Sequence, residues 1–422
     1  MYKLTTLKNK LKVITYNIPN AHGVTTGIFV NVGSRYETDK IAGVSHFIEH
    51  MLFKGTQTRP TPADISRVIE RIGGYLNAAT SQDYTFYYNR VPCKHAAVAL
   101  EVLADMFNNS LFDAGAIKRE SGVILEELNM YLDTPTRYLY DLIMQTIWPG
   151  SALGRDVIGT RQSIKGLRQQ DFLKYLANTY QPQNLVVVAT GKVNHSQTVK
   201  AATKYFGNLK NKTTLKFKFN NSQQTQPRVN IYNKKTDQVH LCLAVPALPR
   251  NHKDEAILTL LDTILGTGMS SRLFLNIREK RGLCYSINSF NEKFHETGLF
   301  GITAGLSLNK IDLAIRAIVF ELEQLTQTPV SSTELAEAKE YLRGSISLRS
   351  DNTDNMTMWY GAQGLFAKNI KTPEQKIKEL LDITENDIMK LAQQLFNRNR
   401  LNLAIIGPFS SKDKSRFLKL IK

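Results

Sequence analysis

The chain has 422 residues, 42% of them hydrophobic and 22% charged, a balance that supports sizeable cores and excludes the disordered, collagen-like and disulfide-scaffold classes. Its net charge of +17 and isoelectric point near 9.6 raise the question of an anionic partner. The lysines and arginines are spread along the chain, with the densest stretches at 208–218 and in the C-terminal SSKDKSRFLKLIK, a pattern that reads as a solvated basic surface without a nucleic-acid site.

The opening MYKLTTLKNKLKVITYNIP lacks the apolar run of a signal peptide and passes at once into the strand-like LKVITYNI, so no removable leader is expected. No later run approaches the roughly 18 apolar residues of a membrane span. Cys93, Cys242 and Cys284 lie far apart with no CxxC spacing, which suits a reducing compartment; a cytoplasmic chain with no membrane partner is expected. TTGIFVNVGS reads as a second strand, and 63–73 and 95–108 read as amphipathic helices. GGYLNAATSQDYTFYYNRV (73–91) reads as a β-strand following a glycine turn. Residues 206–229, rich in Asn, Gln, Lys and Thr, read as a linker. VNIYNKK and QVHLCLAVPAL then open a second half in the way the first half opens, and 310–326 reads as a further helix.

The halves also close alike. DFLKYLANTYQPQNLVVVATG (171–191) aligns without a gap on DIMKLAQQLFNRNRLNLAIIG (387–407), each reading as helix, polar turn, apolar strand and glycine. A period of half the chain points to a duplicated domain, not a solenoid. The expected fold is α+β: two homologous α/β-sandwich domains, 1–205 and 230–422, each a mainly antiparallel sheet packed with helices and joined by 206–229.

Chemistry concentrates after Gly43, in VSHFIEHMLFKGT. On a helix, His46 and His50 stand four residues and about 40° apart, so both imidazoles project from one face, as a metal clamp requires. Glu49 lies beside the same face, where a carboxylate can take a proton from an activated water without ligating. The order HxxEH inverts the common HExxH zinc motif, and it uses two of only eight histidines. Catalytic zinc takes three protein ligands and keeps one position open, so a third donor is needed. AIKRESGVILEELNMYLD (116–133) offers Glu120, Glu126 and Glu127. Glu120 and Glu127 share a helical face, one as ligand and the other as a supporting carboxylate, while Glu126 points about 100° away; spacing leaves the choice open. GTGMSS in the second half has neither GxGxxG nor a Gly-Lys-Ser/Thr ending, which excludes a nucleotide loop.

HFIEHMLFKGT, the downstream RESGVILEELNMYLDTP and the interval between them resemble the pitrilysin, insulinase and mitochondrial processing peptidase family, nearest to its bacterial two-domain zinc proteases. The resemblance implies a metalloendopeptidase with one zinc ion per chain, His46, His50 and Glu127 as ligands, Glu49 as general base and Glu120 as the supporting carboxylate. It makes the segment holding Asn77 and Ala78 an exposed edge to which an extended peptide adds as a strand, and sets Phe53 beside the cleaved bond. GTGMSSRLFLNIREKRGLCYSINSF matches the family's C-terminal signature, in which Arg278 and Tyr285 contact substrate carbonyls and the developing oxyanion. The short LGTGMSS, where the inactive mitochondrial subunit has a long glycine-rich loop, marks a catalytic subunit. The family's four-domain chamber implies a homodimer, with a heterodimer as the alternative, acting on peptides or unfolded polypeptide. The competing readings are a non-catalytic scaffold of the same family and an anion-binding protein.

Overall fold

A computed structural model describes residues 1–212, 217 and 224–422. The chain forms two compact units, each a mixed α/β domain built on a mainly antiparallel sheet. The first sheet has strands β1 (Tyr2–Thr6), β2 (Lys12–Asn17), β3 (Gly23–Val30), β4 (Tyr75–Thr80), β5 (Thr85–Pro92) and β6 (Leu185–Gly191), in the order β1-β2-β6-β3-β5-β4. The second has β7 (Arg228–Asn233), β8 (Val239–Ala247), β9 (Ser286–Lys293), β10 (Gly298–Leu306) and β11 (Asn402–Gly407), in the order β7-β11-β8-β10-β9. Without β1 the two orders are the same. In each, only the β2/β6 or β7/β11 pair is parallel. The 171–191 and 387–407 segments occupy matching places: the helices Gln169–Thr179 and Glu385–Leu395 lead into β6 and β11.

Sandwiching explains the strand sequences. β6 is buried at every position and β3 at all but its first, because helices cover both faces of the first sheet. Helix α1 spans Val44–Leu52, α2 Pro62–Glu70, α3 Ala96–Asn109, α4 Ala114–Asp133 and α5 Pro135–Ile147. On one face Tyr87, paired with Ile28, meets Phe107 of α3, and Asn89 donates to the Ala99 carbonyl of α3. On the other, Phe29 packs with Met356 and Tyr360 of the helix Thr353–Phe366. In the second sheet Cys242 and Ala244 join Leu142, Ile143 and Ile147 of α5, while Leu241, Leu243 and Val245 face the core formed with helices Glu255–Gly266, Ile311–Gln327 and Glu385–Leu395. That is the period-2 alternation of strands applied to two cores.

Each unit is discontinuous in sequence. The first gathers Met1–Leu128, Arg155–Lys218 and Ser347–Pro373; the second gathers Asn129–Gly154, Phe219–Ile346 and Glu374–Lys422. A division at 206–229 into contiguous halves does not anticipate that α5 covers the second sheet and that Thr353–Phe366 covers the first. Of the expected linker, 213–216 and 218–223 lie outside the described residues. The segment 73–91 is a hairpin and not one strand: Ser81–Tyr84 reverses the chain, with Ser81 N–H donating to the Tyr84 carbonyl and Tyr84 N–H to Ser81 Oγ. No helix of the described residues is long and apolar enough to cross a membrane.

Candidate metal centre

Helix α1 buries Val44, Phe47, Ile48, Met51 and Leu52, the i, i+3, i+4, i+7, i+8 stripe of an amphipathic helix. Each buried side chain contributes up to about 1.5–3 kcal/mol, enough to hold a nine-residue helix that is too short to persist alone. Ser45 is buried as well, against Tyr175, and the residues left over are His46, Glu49 and His50, so packing turns the candidate residues to one side. Helix α4 buries Ile117, Glu120, Ile124 and Leu128 in one seam, with Glu120 the carboxylate in an otherwise apolar row.

Bringing α1 and α4 together settles which glutamate meets which histidine. Glu127 Oε2 lies 3.6 Å from His46 Nε2 and 3.5 Å from His50 Nε2. Glu120 Oε1 lies 2.8 Å from His50 Nδ1, and its Oε2 lies 2.8 Å from Lys54 Nζ. Glu126 is exposed. Among the described residues, His46, His50 and Glu127 form the one group of donors spaced for a metal ion, with ligand atoms within 4.8 Å of one another. Two imidazoles and a carboxylate are donors that zinc accepts, and the 3.5 and 3.6 Å separations match the edge of a tetrahedron with bonds of about 2.0–2.2 Å. The residues present fit zinc.

Electrostatics separates the two imidazoles. Burial, helped by the neighbouring His50, pulls His46 down to about 4, so it offers a lone pair at neutral pH. Burial also lowers His50, but its bonds to Glu120 and Glu127 outweigh this and raise it to about 9. Without a metal, His50 therefore carries a proton between two carboxylates, in the place where a cation would be favoured. Glu120 is pushed up by burial but held below the usual carboxylate range by His50 and Lys54. Burial raises Glu49, opposed by the Thr80 hydroxyl, which donates to its Oε2 at 2.5 Å.

Thr80 ends β4, the edge strand of the first sheet, against which α1 packs. Asn77 and Ala78 lie on that edge, where Ala78 N–H donates to the Asn77 side-chain carbonyl at 2.8 Å. Phe53 is the half-buried C-cap of α1. Arg278 and Tyr285 belong to the second unit. Arg278 lies in the last turn of a π-helical segment, Phe274–Glu279, and its guanidinium lies 4.5 Å from the Phe274 ring centre and 5.7 Å from that of Tyr285, which is 75% exposed. Lys54, Thr80 and the buried Glu37, which caps α1, are neighbours of the site that the sequence reading does not name. Lys54 stands one turn beyond His50 and Thr80 closes an edge strand, so spacing could have flagged both; nothing in the spacing flags Glu37.

A model of the insulinase family of peptidases, family M16, matches residues 12–161, and one of the peptidase M16 inactive domain matches 166–342. The chain is 34% identical over 412 residues to an uncharacterized zinc protease of Bacillus subtilis, covering 97% of this chain and 98% of the relative. It is also 34% identical over 418 residues to one of Streptomyces coelicolor, covering 98% and 91%. A crystal structure of a protease from Helicobacter pylori shares the fold with a TM-score of 0.92 at 23% identity, covering 97% of this chain and 99% of that one. A peptidase M16 inactive domain from Pseudomonas fluorescens shares it at 0.88 and 19%, covering 97% and 98%. The chain belongs to the insulinase family of peptidases, M16.

Proposed function

We propose that the chain is a zinc-dependent endopeptidase that hydrolyses peptides or unfolded polypeptide segments. The observation that supports this most is the meeting of His46 Nε2, His50 Nε2 and Glu127 Oε2 beside the half-buried Glu49, on a helix packed against an exposed sheet edge. These three side chains would hold one zinc ion per chain, which when bound activates water and polarises a carbonyl as a Lewis acid. Glu49 takes the proton of the attacking water and passes it to the leaving amine; a carboxylate raised by burial is better matched to that exchange than one in water. Thr80 orients Glu49, and Glu120 fixes the tautomer of His50 by accepting from Nδ1. The peptide pairs in extended form with β4 at Asn77 and Ala78, near Phe53. Arg278 and Tyr285 are assigned to substrate carbonyls and the oxyanion, in a homodimer whose chamber excludes folded proteins. The free Cys93, Cys242 and Cys284 suit a cytoplasmic setting.

The test is cleavage of a quenched peptide library by purified protein, before and after chelation, with zinc add-back and Glu49→Gln as control. Activity that chelation removes, zinc restores and Glu49→Gln abolishes is expected. A zinc-loaded dimer without activity would instead support a scaffold or a missing partner subunit.

A further inference from the structure

Glu37 is a buried carboxylate that the proposed reaction does not use. It is 6% exposed, and both oxygens serve the start of α1: Oε2 accepts from Gly43 N–H at 2.7 Å and Oε1 from Ser45 N–H at 2.8 Å. A helix start is ordinarily served by the side chain of the N-cap residue itself. Here the N-cap is Gly43, at φ +89°, and a Cβ there would lie 2.4 Å from the Ile158 carbonyl oxygen, so the position cannot carry a Ser or Asp cap. The cap comes instead from six residues upstream, on a loop that is itself held. Arg155 donates to the Ser34 and Glu37 carbonyls at 3.3 and 3.0 Å and to Asp39 Oδ1 at 2.6 Å. Ser45 Oγ meets Tyr175 OH at 3.0 Å.

The two histidines of α1 are supported unequally. His50 is held from behind by Glu120, whereas His46 Nδ1 is buried with no hydrogen-bond partner among the described residues. The aim of His46 therefore depends on the backbone turn that carries it, and His46 directly follows Ser45. We infer that Glu37 is a positioning residue for His46: its carboxylate clamps the first turn of α1 and so fixes one ligand of the centre. This rests on the zinc reading above. A ligand whose own ring has no outer partner needs its support from the main chain, and removing that support weakens metal binding as loss of an outer hydrogen bond does elsewhere, by about 10- to 100-fold.

The experiment measures zinc dissociation constants by chelator competition for the wild type, Glu37→Gln and Arg155→Met, together with kcat and KM on a quenched peptide. Glu37→Gln keeps the shape of the side chain but offers a single acceptor oxygen to two N–H donors. About 10-fold weaker zinc binding and a lower kcat at unchanged KM are expected, since β4 is untouched. Arg155→Met, one step further out, should weaken zinc less. Wild-type zinc affinity and kcat in Glu37→Gln, whatever its melting temperature, would overturn the inference by leaving Glu37 a merely structural cap. If circular dichroism shows Glu37→Gln unfolded, the decision passes to Arg155→Met, and wild-type affinity in that folded variant overturns it equally. A wild type that binds no zinc refutes the metal reading itself, and this is seen before any variant is compared.

Discussion

Glu37 has a signature in stability as well as in metal binding. Burial raises its carboxyl from 4.5 to about 7, against the pull of the Ser45 and Gly43 N–H groups and of Arg155. A carboxyl raised in the folded state binds its proton more tightly there than in the unfolded chain. Its contribution to stability is therefore greatest below pH 4.5 and is lost as pH rises through about 7. Between pH 5 and pH 8 the linkage amounts to about 2–3 kcal/mol, since each tenfold difference in proton affinity between the folded and unfolded chain is worth about 1.4 kcal/mol. Glu37→Gln cannot titrate. Urea unfolding of zinc-free wild type and Glu37→Gln at both pH values isolates the effect, because the cost of an unsatisfied N–H in the variant does not change with pH and cancels in the difference. The wild type should lose about 2–3 kcal/mol more than the variant on going from pH 5 to pH 8. Parallel losses would mean that burial does not raise this carboxyl, and a wild type that gains on the variant would mean that the N–H bonds outweigh burial. The expected result also separates two roles. A charge kept where it costs stability at neutral pH is the kind of feature that function retains, so Glu37→Gln can match the wild type in stability and still bind zinc less well.

Two further predictions probe other parts of the site. Lys54→Met removes the partner of Glu120 Oε2 and frees that carboxylate to turn away from His50; zinc affinity measured by chelator competition should fall about 10-fold, with Lys54→Arg restoring most of it. Ala78→Pro deletes an N–H on an edge strand, a position where proline is tolerated; KM for peptides should rise at least about 10-fold with the thermal midpoint little changed, and an unchanged KM would remove β4 as the peptide-pairing edge.

Much of this was legible in the chain because the determinants are local. The stripe Val44, Phe47, Ile48, Met51, Leu52 is a helical period, and it fixes the direction of His46 and His50 by exclusion. The matched closing segments give the repeated sheet, and the Glu120 to Glu127 spacing puts two carboxylates on one face of α4. What stayed hidden depends on contacts between distant positions. The turn at Ser81–Tyr84 is made by a serine hydroxyl and polar residues, not by the Asn-Gly or Gly-rich signal that usually marks a hairpin, so 73–91 reads as a single run. The exchange of α5 and Thr353–Phe366 leaves no trace in periodicity: the apolar stripe of α5 would suit either sheet, and Thr353–Phe366 packs through a mixed row of Met356, Thr357, Tyr360 and Gly361 that has no apolar stripe to announce it. Glu37 acts across a loop, at no fixed spacing from the helix it caps.

The two units show how little of the sequence the chemistry needs. In the second, the helix Glu255–Gly266 packs on edge strand β9 as α1 packs on β4, and it too presents an acid to that edge. Asp262 accepts from the hydroxyl of Ser289 and, at 2.6 Å, from the Asn291 side chain, both on β9, as Glu49 accepts from Thr80 on β4. Burial raises Asp262 as it raises Glu49, but here two donors close around the carboxylate and the helix carries no histidine. The strand order and its alternation are set by apolar residues spread over the whole sheet, which either unit can retain while its polar positions change. Histidines in α1 and two glutamates in α4 make a candidate metal centre of one unit; serine and asparagine opposite an aspartate make a closed polar contact of the other. The architecture is duplicated, while the candidate centre rests on a few side chains in one copy.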